Sequence, residues 1–234
     1  MNNRIFGKIF NVYKPVGLSS YDIVRKFKKI LNYKKIGHGG TLDPFAEGVL
    51  LILVGRKATR QMNDLLKLPK SYSAVVQLGK TTDTGDPEGK VVKEKQVGTI
   101  TNEILESAIN EFSGQIEQIP PKYSAKKVNG VPAYKLARQG KDFKLKPQNI
   151  NIYDLSIDII KDHKLLLNVE CSKGTYIRKL GQDIAEFLET AGYLTKLTRT
   201  SIGEYSIDDS IYIDDLEDKL EKTKDKLRKL ALVS

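Results

Sequence analysis

Cysteine occurs once in the 234 residues, at Cys171, so no intramolecular disulfide can staple the chain. It lies in the apolar stretch LLLNVECS and reads as a small buried hydrophobe on a strand, as suits a reducing compartment. Histidine occurs twice, at His38 and His163, too far from each other and from the cysteine to suggest a zinc site, so no metal is expected. Long apolar runs are lacking as well. The longest aliphatic stretch, Val49 to Val54, falls well short of the ~18 residues of a membrane-crossing helix. The opening MNNRIFGKIFNVYKPVG has neither an apolar core nor a small-residue cleavage site, so the chain is expected to stay in the cytoplasm.

Cofactor signatures fail one by one. GKT at 79–81 belongs to a phosphate loop only if a glycine stands where Ala74 does. GHGGTL has Leu42 at the sixth position of the dinucleotide fingerprint and follows a helical pattern rather than a strand. SAKK at 124–127 matches S-x-x-K without the accompanying S-D-N or K-T-G. Asp83, Asp86 and Glu88 lack calcium-loop spacing and read as a polar hairpin turn. The expected chemistry therefore uses no organic cofactor.

What is present is positive charge, and it is concentrated. The chain carries 39 Lys+Arg against 29 Asp+Glu, a net +10, which points to a polyanionic partner. Between Lys122 and Gln148 stand Lys122, Lys126, Lys127, Lys135, Arg138, Lys141, Lys144 and Lys146 against the single acid Asp142. Tyr123, Tyr134 and Phe143 lie among them, offering faces on which unstacked bases can rest. Arg25 to Lys35 adds six bases and no acid, whereas Ile211 to Ser234 balances six against six. A solvated lysine face is the plain alternative for either patch taken alone.

Patterning gives α+β: a mixed, largely antiparallel sheet core flanked by helices. KIFNVYKP is a strand; Ser19 caps a helix, Asp22 closes its capping box, and Ile23, Val24, Phe27, Ile30 and Leu31 form its apolar face. GVLLILVG is a strand, and SYSAVVQLG with GKVVKEK is expected to pair around TTDTGDPEG. Residues 104–112 have helical spacing, and Pro132 and Gly140 delimit a short helix inside the basic stretch. NINIYDLSIDII and HKLLLNVECS read as antiparallel partners. A helix over about 176–190 turns Ile177, Leu180, Ile184, Phe187 and Leu188 inward, and YLTKLTRTSIGEY is again strand. Residues 1–210 are expected to form one domain with 122–148 as an insertion, followed by a short helix over 211–234.

One carboxylate remains without a bland role. Asp43 stands in GHGGTLDPFAE, where a turn is the default reading of an aspartate before a proline. Pro44 nonetheless holds Asp43 extended, and the preceding glycines let another backbone come close, which suits an exposed reactive carboxylate. Arg178, at a helix start in SKGTYIRKLG, offers a cation to keep such a group ionised.

Four blocks, GHGGTLDPFAEGVLLILVGRKATR, KSYSAVVQLGKTTDTGDPEG, IEQIPPKYSAKKVNGVPAYKLARQG and CSKGTYIRKLGQDIAEFL, resemble in this order the bacterial tRNA pseudouridine-55 synthases of the TruB type. The resemblance runs from about Phe10 to Tyr205. It implies the pseudouridine synthase fold, Asp43 as catalytic nucleophile, Tyr72 stacked on the target uracil and Arg178 paired with the catalytic carboxylate. It further implies Tyr176 and Leu197 lining the base pocket, and His38 touching the T loop as the nucleotide flips out. The insertion corresponds to a thumb that grips RNA, which assigns contacts to Lys126, Lys127, Lys135, Arg138 and Lys141. A monomer acting on tRNA with no obligatory protein partner is expected. Members of the family commonly continue into an RNA-binding PUA domain, which is expected to be absent here, and that argues against a guide-RNA-dependent relative. Two other classes stay open: a tRNA-folding chaperone that needs no catalysis and, less favoured because it must admit water to C1′, a nucleoside hydrolase.

Overall fold

Residues 7–161, 163–216 and 218 are described by the computed structural model, and they divide into two units, one comprising residues up to 70 and from 198, the other residues 71–197. The elements begin with β1 (Ile9–Lys14), α1 (Ser20–Leu31), β2 (Ile36–His38), β3 (Glu47–Val54), α2 (Gly55–Thr59), α3 (Met62–Lys67), β4 (Lys70–Leu78), β5 (Lys80–Thr82) and β6 (Val91–Glu94). They continue with α4 (Asn102–Phe112), β7 (Gly114–Gln118), β8 (Lys127–Val128), β9 (Val131–Pro132), α5 (Ala133–Arg138), β10 (Gln148–Ile160), β11 (Lys164–Cys171), α6 (Ile177–Phe187), β12 (Gly192–Ile202) and β13 (Tyr205–Ser206). Most of the stretch 211–234 expected to form a helix lies outside the described residues.

The first unit is organised about β3, whose residues Val49 to Val54 are all fully buried. A strand this apolar has both faces covered. Alternation sends Leu50, Ile52 and Val54 to a core with Val12, Ile23, Val24 and Phe27. Val49, Leu51 and Leu53 go to another with Ala58, Leu65 and Ile202. The α1 face that meets the first core is set by helical spacing, and the helix starts where expected, with the Ser19–Asp22 capping box formed. One edge of β3 is paired antiparallel with β1, Ile9 to Lys14 opposite Leu53 to Gly48. Its other edge is divided: β2 pairs antiparallel at Ile52 to Val54, while Thr198 and Arg199 of β12 pair parallel with Glu47 and Gly48. That parallel approach requires Gly48: its φ is +107°, and a Cβ there would lie 2.2 Å from the Arg199 carbonyl oxygen.

In the second unit the strand order is β12-β4-β11-β10-β7, with β10 antiparallel to both β11 and β7. Helix α6 lies close against this sheet because glycines stand at the contact. A Cβ on Gly181 would meet the Leu194 side chain at 2.5 Å, and one on Gly192 would meet Ala185 at 2.5 Å. Three expectations are corrected here. GKVVKEK does not pair with SYSAVVQLG: Gly79, at φ +93°, ends β4, and β6 pairs instead with β5 in a separate two-stranded sheet. Phe187 does not turn inward; it is 39% exposed at the end of α6, with its ring edge-on to Phe112. Pro132 serves as the N-cap of α5 rather than sitting inside its first turn, and Gly140 follows its end at φ +67°.

Candidate active site

Asp43 sits in the irregular segment between β2 and β3, and the backbone carbonyls around it are held one after another. The Arg199 guanidinium donates to the Gly40 carbonyl at 3.3 Å, the Thr41 carbonyl at 3.4 Å and, through Nε, the Val49 carbonyl at 2.7 Å. Ser20 Oγ donates to the Leu42 carbonyl at 3.0 Å and accepts from the Leu42 N–H at 2.8 Å. The Asp43 carbonyl accepts from the Ala46 N–H at 3.1 Å, and the Pro44 carbonyl from the Gly17 N–H at 2.8 Å. Lys14 Nζ closes the far side, donating to Ala46 at 2.5 Å and Pro44 at 3.4 Å as well as to Leu18 at 2.7 Å and Pro15 at 2.9 Å. Loop backbone is ordinarily the loosest part of a domain. This loop is tied down like a strand without being one.

Both cations of this cradle are buried, Lys14 at 0% and Arg199 at 1% exposure. Burial pushes the Lys14 ammonium down from its ordinary 10.5 to about 8, against the attraction of Asp43, which raises it, and with the repulsion of Arg199, which lowers it further. His38, at the end of β2, is half-buried, and its Nδ1 is buried without a hydrogen-bond partner. Burial first, then the Arg199 charge, hold its pKa below the ordinary histidine value, so the ring is neutral at pH 7.

In the second unit, Arg178 stands on the first turn of α6 as expected and is buried. Its guanidinium lies 3.3 Å from the Asp86 carboxylate and donates to the Thr84 carbonyl at 2.6 Å and the Tyr123 carbonyl at 3.0 Å. Asp86 also accepts from the Thr84 hydroxyl at 2.6 Å and the Glu88 N–H at 3.0 Å. The turn between β5 and β6 is therefore more than a polar hairpin, because one of its acids is the buried counter-ion of Arg178. Tyr176 is the N-cap of α6, and Gln118 at the end of β7 grips both its backbone groups, accepting from its N–H at 2.8 Å and donating to its carbonyl at 3.2 Å. Tyr72 is half-buried on β4, and Leu197 is buried on β12.

The basic stretch 122–148 contains a hairpin, β8 with β9, closed by Asn129 and Gly130 at φ +50° and +83°, followed by α5. Tyr134 N–H to the Ser124 carbonyl (3.0 Å) and Ala133 N–H to the Lys126 carbonyl (2.7 Å) fasten helix to hairpin. Lys126, Lys127, Lys135, Arg138 and Lys141 all reach solvent, and Arg138 lies 5.7 Å from the centre of the Tyr134 ring. Among the described residues no group of three or more potential metal ligands converges, and no helix is long and apolar enough to cross a membrane.

Lys14, Ser20, Gln118 and Arg199 were not among the residues singled out from sequence, and Asp86 was read there only as part of a polar turn. Two had a signal. Lys14 shares strand parity with Val12, and Arg199 with Leu197, so each stands on a face whose neighbour is apolar and buried. Asp86 and Gln118 had none, since their partners lie 92 and 58 residues away.

A family model described as "TruB family pseudouridylate synthase (N terminal domain)" matches residues 28–177. The chain is 46% identical over 211 residues to "tRNA pseudouridine synthase B" of Clostridium acetobutylicum, covering 90% of this chain and 72% of that protein. It is 44% identical over 212 residues to the protein of the same name from Clostridioides difficile, covering 90% and 70%. Among solved structures it is similar to a chain of a Cbf5-Nop10-Gar1 complex, with a TM-score of 0.71 and 29% identity, over 92% of this chain and 54% of that one. A chain of an H/ACA RNP bound to a substrate RNA containing 2'-deoxyuridine gives 0.67 and 27%, over 93% and 55%. The chain thus spans about half the length of these solved relatives. It belongs to the TruB family of pseudouridylate synthases.

Proposed function

We propose that this chain converts uridine to pseudouridine at position 55, in the T loop of tRNA, with Asp43 as the nucleophile. The observation that carries this reading is the carboxylate borne on a loop whose flanking carbonyls are bound by two buried cations and a hydroxyl. The tRNA substrate follows the printed names of the bacterial relatives. The reaction breaks the bond from ribose C1′ to uracil N1, turns the base and joins C1′ to C5; the proton leaving C5 is balanced by one gained at N1. Attack at C1′, addition at C6 and passage through a glycal all need the same carboxylate.

The base must leave the stack at a cost of a few kcal/mol and be held while detached. In this proposal Tyr72 supplies the aromatic face, Tyr176 and Leu197 line the pocket, Arg178 pairs with the Asp43 carboxylate, and neutral His38 meets the T loop. The exposed cations of the thumb hold phosphates. Asp43→Asn is nearly isosteric but has no carboxylate. It should abolish isomerisation of a T-loop hairpin while leaving binding within about threefold and the chain folded, since Asp43 is not part of either core. Turnover near wild type in this variant would refute the nucleophile. Wild-type protein that binds the hairpin without isomerising it would point instead to an RNA chaperone.

A further inference from the structure

We infer that Ser20 and Arg199 are positioning residues for the reaction, fixing the pose of the Asp43 carboxylate through the peptides that carry it; the inference rests on the reading of Asp43 as nucleophile. The Thr41–Leu42 peptide is held on both sides, its N–H by Ser20 Oγ at 2.8 Å and its carbonyl by Arg199 at 3.4 Å. The next peptide, which leads into Asp43, has its carbonyl on the same Ser20 hydroxyl at 3.0 Å. With these planes fixed, the Cα–Cβ direction of Asp43 is set from its N-terminal side, and Pro44 restricts it from the other.

Neither residue is accounted for by its own element. Ser20 occupies the first turn of α1, but the cap is made by Ser19, so the buried Ser20 hydroxyl is not needed to start the helix. Arg199 is a fully buried cation whose hydrogen bonds within the described residues go to carbonyl oxygens, at Gly40, Thr41 and Val49. Its place is thus set by the loop carbonyls at Gly40 and Thr41 together with the β3 carbonyl at Val49, which ties the loop to the strand that follows it. A lysine cannot reach three carbonyls in one plane as this fork does.

The test uses the full chain and a T-loop hairpin RNA, comparing single-turnover rate and Kd for wild type, Ser20→Ala, Ser20→Thr, Arg199→Lys and Asp43→Asn. Misplacement of a reacting group by about 1 Å is worth about 100-fold in rate. Ser20→Ala and Arg199→Lys should therefore slow isomerisation about 10- to 100-fold with Kd within about threefold of wild type, while Ser20→Thr, which keeps the hydroxyl, recovers most of the rate. The inference is overturned if Ser20→Ala reacts at the wild-type rate, if Kd rises in step with the loss of rate, or if Ser20→Thr is as slow as Ser20→Ala. Full activity in Asp43→Asn would instead remove the nucleophile on which the inference stands. An inactive Asp43→Asn beside a fully active Ser20→Ala overturns the positioning role alone.

Discussion

Lys14 ends β1 with its ammonium group out of solvent and four carbonyl oxygens within 3.4 Å. Its protonated form is opposed by burial and by Arg199 and favoured by Asp43, Glu47 and Asp22, and the balance leaves its pKa at about 8. Folding thus depresses the pKa of a base. Below pH 8 both states are protonated, whereas between about 8 and 10.5 the unfolded chain holds a proton that the folded chain has released, so this group adds to stability as pH rises through that window. Activity should move the other way. A neutral amine loses its charge and one of its three donors, and with them its hold on Pro44 and Ala46. The single-turnover rate of the wild type is expected to decline above about pH 8 without a matching fall in the urea midpoint, and Lys14→Met should show a lower rate lacking that decline. A Lys14→Met profile that still bends as the wild type does would assign the titration to another group.

At the scale of elements, the β8–β9 hairpin, α5 and the residues flanking them place five cations in solvent on a short, turn-closed scaffold. The ion pair of Lys122 with Asp142 in this insertion, at 3.8 Å, is exposed on both sides and adds little. Exchanging Lys126, Lys127, Lys135, Arg138 and Lys141 for glutamine should leave the hairpin folded and weaken tRNA binding. The slope of log K against log salt should fall by about 0.7 to 0.9 for each phosphate that is no longer neutralised. An unchanged slope would reduce the patch to a solvated face. The elements themselves were largely legible in the sequence: period 2 found β10 and β11, period 3.6 found α1 and α4, and the Ser19–Asp22 spacing fixed the start of α1. What escaped was set by contacts distant in sequence. A single glycine conformation at Gly79 redirected the expected hairpin, and the buried side of the Asp86 turn depends on a guanidinium much later in the chain. The Asp43 segment was visible as glycine, aspartate and proline, but the cations that hold it were hidden in ordinary strands, Lys14 at the end of β1 and Arg199 within β12.

For the whole molecule, the two basic stretches together carry more positive charge than the chain's net +10, so the remaining residues are slightly acidic on balance. Any association with a polyanion is thereby steered to the basic stretches 122–148 and 25–35 rather than to the surface at large. A second consequence follows from the chain order of the units. Residues 71–197 are continuous, whereas the first unit needs residues from 198 onward to complete β3's second edge and to bring Arg199 to Gly40 and Thr41. During synthesis the later segment is therefore able to close before the earlier one. A chain ended after Leu197 should yield, on limited proteolysis and mass spectrometry, a resistant fragment near 71–197 and rapid loss of residues 1–70; equal resistance of both would show that the N-terminal segment folds unaided. On the proposed reading, a nascent chain would then emerge with the stretch assigned to RNA contact already closed and the Asp43 loop still waiting for the arginine that fastens it.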